Sequence, residues 1–228
     1  MPLWTKQDLI SACKALDPTG NFLNNFECIH GISIDERTIK KGELFIALIG
    51  ENFDGHNFLE SAISKGAYGV LVSNIEKAKK YNGLFVNNTK ESLINLGRFA
   101  RNRFTGITVG ITGSSGKTST NYILSNALNQ FGKTHKTFGN NNNIIGLSLT
   151  LSRLPHDFNF CVLELGMNNS GEIEELTKIA KPNIALITNI SNSHIQNFKN
   201  EKEIARAKSE IFLGLEKNGV AIINSDNA

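Results

Sequence analysis

The sequence predicts an α/β protein. A small N-terminal α/β domain precedes a central domain of the three-layer αβα, phosphate-loop type, with a mostly parallel sheet. Three observations predict it. Short apolar runs at 107–112, 160–165, 184–189 and 219–224 read as strands. Amphipathic stretches alternate with them at 117–131, 171–180 and 202–215, and strand–helix alternation argues for a parallel sheet covered on both faces. Finally, the glycine-rich turn "GSSGKTST" joins the first of these strands to the first of these helices.

Taken in chain order, Thr5 and Asp8 form a capping-box pattern that opens a helix expected to run through Leu16. Residues 43–48 and 69–73 read as strands, with a helix over 56–67 between them that Gly66 ends. The stretch 89–104 is an amphipathic helix, with Leu93, Leu96, Phe99 and Ala100 at helical spacing. The expected division is therefore 1–83 for the first domain and 84–228 for the second. In the parallel sheet of the second, ligands are expected outside the carboxyl ends of the strands.

Composition narrows the function classes. A formal charge of +3, with lysines and glutamates interspersed, gives no basic surface for nucleic acid. No stretch approaches the roughly 18 apolar residues of a membrane span. The N-terminus lacks the basic flank and apolar core of a signal peptide. Cys13, Cys28 and Cys161 are odd in number and far apart, which fits neither a disulfide framework nor a zinc site. A cytoplasmic protein with packing cysteines is expected.

The chemistry concentrates around the turn at 113–118. Gly113 and Gly116 let backbone N–H groups approach phosphate oxygens, and the helix from Lys117 adds its positive dipole end. Lys117 would reach the outer phosphates, and the Thr118 hydroxyl would ligate Mg²⁺. The turn has the short form G-x-x-G-K-T, because Ile111 stands where the longer motif has glycine. Glu164 ends a neighbouring strand and is either a metal carboxylate or an edge residue in solvent. His194 follows the strand 184–189 and is either a surface residue or part of the same site. Lys208 lies on the apolar stripe of Ile204, Ala207 and Ile211, where a free ammonium is costly. It either snorkels from the stripe edge or is held near a ligand, with its charge altered. In the first domain, Asp35 and Arg37 precede a strand, while Asp54 and His56 precede a helix. On pattern alone they are turn and cap residues. Asn142 and Asn143 lie in an Asn-rich loop that is either merely polar or substrate-binding.

Together, "SIDERTIKKGELFIALIGENFDGHNF", "GITGSSGKTST", "TFGNNNNIIGLSLTL", "ELGMNNSGEIEEL", "PNIALITNISNSHIQNF" and "IARAKSEIF" occur in an order and spacing that resembles the Mur ligases. These are the ATP-dependent amide-forming enzymes of peptidoglycan synthesis. The loops "GSSGKTS", "GNNNNIIG" and "ELGMNNSGEI" are most similar to the branch that adds D-alanyl-D-alanine to a UDP-N-acetylmuramoyl-tripeptide. Leu147–Ser148 and Ser191–Ser193 depart from the usual family residues without touching the phosphate or metal positions.

The resemblance implies a set of roles. ATP would convert the tripeptide carboxylate to an acyl phosphate, which the dipeptide amine attacks. The cradle residues Gly113, Ser114, Ser115, Gly116, Lys117, Thr118 and Ser119 would bind ATP, with Asn189 near nucleotide and metal. Thr118 and Glu164 would hold one Mg²⁺; His194 and a carbamylated Lys208 would help hold a second. Lys117, His194 and Lys208 would be the catalytic set. Asp35, Arg37 and His56 would bind the UDP end of the substrate, and Asn142 and Asn143 the peptide. A monomer is expected. The resemblance also implies a completed central domain and a Rossmann-like third domain, which are expected to lie outside these 228 residues. Two other readings stay open: a non-ligating binder of ATP or UDP-substrate, and a sister ligase, such as the one adding the third-position diamino acid or a folylpolyglutamate-type enzyme.

Overall fold

The computed structural model describes residues 3–24, 26–191 and 197–226. The chain forms two compact units, Met1–Phe99 and Ala100–Ala228.

In the first unit, α1 (Lys6–Cys13) opens with the expected capping box. The Asp8 N–H donates to Thr5 Oγ1 at 3.1 Å, and the Thr5 N–H donates back to Asp8 Oδ2 at 3.3 Å. The helix ends three residues before the expected Leu16. Lys14 turns left-handed at φ 51°, and Leu16 pairs instead with Phe85 through two backbone hydrogen bonds. The strands β1 (Gly31–Ser33) and β2 (Glu43–Ile46) follow. Next come a short antiparallel pair, β3 (Ile49–Gly50) and β4 (Phe53–Asp54), a 3₁₀ turn at Gly55–Phe58, and α2 (Leu59–Ser64). The expected single helix over 56–67 is thus split, because Asp54 caps the tighter first turn through the His56 N–H. The unit continues with β5 (Gly69–Val72), α3 (Ile75–Lys80) and β6 (Leu84–Phe85).

The first sheet is parallel, in the order β1-β2-β5-β6. Phe45, Ala47, Val70 and Val72 pack against Leu59, Ala62 and Ala78 of the helices. Burying each large side chain of this kind is worth about 1.5–3 kcal/mol. The first unit therefore extends beyond residue 83: β6 completes its sheet, and the division falls inside α4 (Thr89–Arg103).

The second unit alternates as expected. It comprises β7 (Ile107–Thr112), α5 (Lys117–Leu128), β8 (Thr134–Lys136), α6 (Ile144–Ser152), β9 (Phe160–Glu164), α7 (Glu172–Ala180), β10 (Ile184–Ile187), α8 (Glu201–Ser209) with a 3₁₀ extension at Glu210–Gly214, and β11 (Val220–Ile223). All five strands are parallel, in the order β11-β10-β7-β9-β8. Leu124 and Leu128 of α5 cover Val109, Ile111 and Val162 on one face. On the other face, α7 packs against α6, β7 and the 3₁₀ extension. The carboxyl ends of β7, β9 and β10 lie side by side, and the site is built there.

Candidate functional site

The turn from β7 into α5 needs both its glycines. Gly113 has φ +151° and Gly116 φ +78°, and a Cβ on Gly113 would collide with Thr188 Oγ1. The segment leaving β10 straps this turn down. The Ser114 N–H donates to the Asn189 carbonyl at 2.9 Å, and the Ser115 N–H to Asn189 Oδ1 at 2.8 Å. Asn189 Nδ2 donates to Ser115 Oγ at 2.8 Å, and Thr188 Oγ1 to the Ser115 carbonyl at 2.6 Å. Asn189 thus acts as the grip on the turn. The N–H groups of Ser114 and Ser115 serve that grip, so the donors directed at an anion are those of the first helical turn, from Lys117 through Ser119. These have no acceptor within their own helix, and the helix dipole reinforces them.

Lys117 folds back, with Nζ donating to the Gly113 carbonyl at 2.7 Å. Burial lowers its pKa, and the Glu164 carboxylate counteracts this. Thr118 Oγ1 donates to Glu164 Oε2 at 3.1 Å, which joins the two residues the sequence had proposed for a metal. Glu164 is 1% exposed at the end of β9, opposite Ile111 of β7. Of its two possible settings, the buried one beside the cradle is therefore observed. A hydroxyl and a carboxylate oxygen form a hard donor pair suited to Mg²⁺, so the residues present fit that ion.

A polar cavity of about 170 Å³ opens beside Lys117, lined also by Asn142, Asn143, Asn168, Glu172 and Lys208. Lys208 is 1% exposed, so it does not snorkel to solvent. Burial first, and then the Lys117 ammonium, bring its pKa from the ordinary 10.5 down to about 8. Two cations facing one small cavity suit an anionic ligand. Asn143 caps α6, its side-chain oxygen accepting the Gly146 N–H at 2.9 Å, and the Asn142 carbonyl accepts the Gly166 N–H at 2.8 Å. The Asn-rich loop therefore forms a wall of the lysine cavity. His194 lies outside the described residues. Among those described, no cluster of three or more His, Cys, Asp or Glu side chains forms.

In the first unit, Arg37 grips Asp35 with both prongs, Nε to Oδ1 at 2.9 Å and Nη2 to Oδ2 at 2.8 Å. This hydrogen bonding holds the Asp35 carboxyl below its usual range. The pair lies just beyond the carboxyl end of β1, with Arg37 exposed. His56 is buried, and both its ring nitrogens are engaged. Nε2 accepts the Ser73 N–H at 2.9 Å, so Nδ1 carries the proton and donates it to Asp54 Oδ1 at 2.7 Å. His56 therefore pins the exit of β5 to the turn before α2, and positions neighbours rather than presenting a free nitrogen.

Residues 111–228 match the Mur ligase middle domain, and residues 28–100 match the Mur ligase family catalytic domain. The chain belongs to the Mur ligase family. It is 45% identical to the UDP-N-acetylmuramoyl-tripeptide–D-alanyl-D-alanine ligase of Buchnera aphidicola subsp. Baizongia pistaciae, over 90% of this chain and 46% of that relative. The crystal structure of MurF from Acinetobacter baumannii superposes with a TM-score of 0.82 at 32% identity, covering 98% of this chain and 49% of that one. MurF ligase from Thermotoga maritima, in complex with ADP, gives 0.72 at 31% identity, over 86% and 46%. The chain spans about half the length of the curated relatives it matches.

The most consequential residue of this Mur ligase chain that sequence reading missed is Asn121. It sits four residues after Lys117, one helical turn along α5 and 2% exposed, and donates to Glu164 Oε1 at 3.0 Å. A polar side chain one turn beyond the cradle lysine, in a helix that must cover an apolar sheet, is the signal that could have found it.

Proposed function

We propose that this chain carries the UDP-substrate and ATP sites of a ligase that joins D-alanyl-D-alanine to UDP-N-acetylmuramoyl-tripeptide. The observation that carries the reading is the Thr118–Glu164 contact beside Lys117 at the carboxyl edge of a parallel sheet. The 45% identity to a ligase of that name supports the substrate pair. The first unit would take the UDP end, with Arg37 the exposed cation nearest that role. The reading makes the protein a cytoplasmic monomer. No helix among the described residues is long and apolar enough to cross a membrane.

The chain's own residues account for the steps as follows. Lys117 leaves the Gly113 carbonyl and turns to the outer phosphates, while the first-turn N–H groups of α5 hold the inner ones. Thr118 and Glu164 Oε2 would hold Mg²⁺, which would supply charge neutralisation between the phosphates and the substrate carboxylate. ATP transfers its terminal phosphoryl group to that carboxylate; the dipeptide amine then forms the amide bond and phosphate leaves. Lys208, with its pKa near 8, holds a neutral fraction at physiological pH. Its nitrogen can add to CO₂ with loss of a proton, which turns a buried cation into an anionic oxygen ligand. Asn142 and Asn143 would border the reacting peptide end.

The test uses the gene product containing this chain, with ATP and UDP-N-acetylmuramoyl-tripeptide. Phosphate release and a product mass that require D-alanyl-D-alanine are expected. Product formed by joining a diamino acid to the UDP-dipeptide would overturn the substrate assignment in favour of the sister ligase. Nucleotide binding without any product would make the protein a binder alone.

A further inference from the structure

We propose that Asn121 is a positioning residue for Glu164: it holds Oε1 and so keeps Oε2 turned toward Thr118 as the one oxygen offered to a metal. The proposal rests on the metal reading above. Glu164 is almost fully buried, and its two oxygens have different partners, Asn121 Nδ2 on Oε1 at 3.0 Å and Thr118 Oγ1 on Oε2 at 3.1 Å. The two partners differ in rigidity. Thr118 is exposed at the first turn of α5, and beyond its bond to Glu164 no hydrogen bond holds its hydroxyl among the described residues. Asn121 is 2% exposed, and its amide is oriented from both ends. Ser125 Oγ donates to Asn121 Oδ1 at 3.0 Å, and Asn121 Nδ2 also donates to the Thr137 carbonyl at 3.3 Å. Thr137 closes the circuit, its Oγ1 accepting the Glu164 N–H at 3.1 Å.

Asn121 of α5 and Thr137, just after β8, thus meet Glu164 at the end of β9, Asn121 on the carboxylate and Thr137 on the backbone N–H. A carboxylate whose one oxygen is engaged in a buried amide hydrogen bond offers a metal a single oxygen. That suits a small ion needing near-octahedral geometry and resists two-oxygen ligation of a larger one. Partners of this kind orient metal ligands, and removing them typically weakens metal binding about 10–100-fold.

The test measures ADP affinity of the 228-residue chain with and without Mn²⁺, by calorimetry, and Mn²⁺ occupancy by electron paramagnetic resonance. In the wild-type chain Mn²⁺ should tighten ADP binding. Asn121→Leu, of similar volume, should lower that enhancement about 10-fold while metal-free ADP affinity stays within about 2-fold. Ser125→Ala, which removes the partner that holds the amide oxygen of Asn121, should lower it in the same direction by about 3-fold. If Asn121→Leu melts below the assay temperature, Ser125→Ala decides. A purely structural role would lower the melting temperature and leave the Mn²⁺ enhancement intact, and that result overturns the proposal. A wild-type chain that binds ADP with no Mn²⁺ enhancement overturns the metal reading itself, and this inference with it.

Discussion

Lys208 and Lys117 face one small cavity, and their charges set testable behaviour. Lys208 titrates near 8 in the folded chain, against an ordinary 10.5. Between those values the unfolded chain holds the proton and the folded chain does not, so stability rises with pH across that window. Below about 8 the cost of the buried ammonium is fully present. Lys208→Met should therefore stabilise the chain by up to about 3 kcal/mol at pH 7 in CO₂-free buffer, and by progressively less as pH approaches 10. Urea unfolding of both proteins across pH checks the sign. In the reading proposed above, ¹³C-labelled CO₂ should give a carbamate resonance in the wild-type chain that Lys208→Met lacks. In the same proposed reading, Lys117→Ala should abolish phosphate release by the gene product containing this chain, since it would remove the cation proposed to turn to the outer phosphates. These residue types were legible one by one, because a glycine-rich turn before Lys-Thr and a lysine on an apolar stripe are local patterns. Asn121 was not, because its partner lies 43 positions away in sequence.

At the scale of elements, the β7–α5 turn is the least tolerant part. Gly113→Ala adds a methyl group where Thr188 Oγ1 stands, at a positive φ that alanine disfavours. It should destabilise the chain and weaken ADP binding at least 10-fold, whereas Thr5→Ala, which removes only the α1 cap, should cost about 1 kcal/mol and leave ADP affinity unchanged. Thermal unfolding and ADP titration of both variants separate the two. The strands β7, β9 and β10 were readable because parallel strands covered by helices are near-continuous apolar runs, and β11 shows the same kind of run although all four of its residues are exposed. By contrast, α6 was not, and "IIGLSLTLS" alternates as a strand would. The structure makes it a helix buried along Gly146–Ser152, with two of its hydroxyls turned back onto the helix, Thr150 Oγ1 to the Gly146 carbonyl and Ser152 Oγ to the Leu149 carbonyl, both at 2.8 Å, while the buried Ser148 hydroxyl finds no partner among the described residues. Similarly, β6 has two residues and becomes a strand only by lying beside β5.

Across the whole molecule, both units follow one rule: a parallel sheet presents its polar residues at the carboxyl edge. The described residues also leave an apolar groove of about 490 Å³ between α5 and the β10–β11 side of the sheet, lined by Ile123, Leu124, Ile184, Leu186 and Ile222. Ile123 is 67% exposed. An apolar surface of this kind binds hydrophobic dyes. The 228-residue chain should therefore enhance anilinonaphthalenesulfonate fluorescence in native buffer, and Ile123→Lys with Ile222→Lys should remove most of the signal. Unchanged fluorescence in that double variant would place the dye elsewhere.

By itself, the sequence determined the alternation of strands and helices, the glycine-rich turn with Lys117 and Thr118 between a strand and a helix, the Glu164 carboxylate at a strand end and the family pattern. All of these are written in short-range periodicity and contiguous motifs. Only the tertiary structure decided that Glu164 is buried against Thr118 and Asn121, that Asn189 grips the cradle, that His56 is a pin, and that Lys208 and Lys117 share a cavity with Asn142. Each of those facts depends on which strand ends lie side by side. That order arises from packing between residues distant in sequence, and no local pattern encodes it.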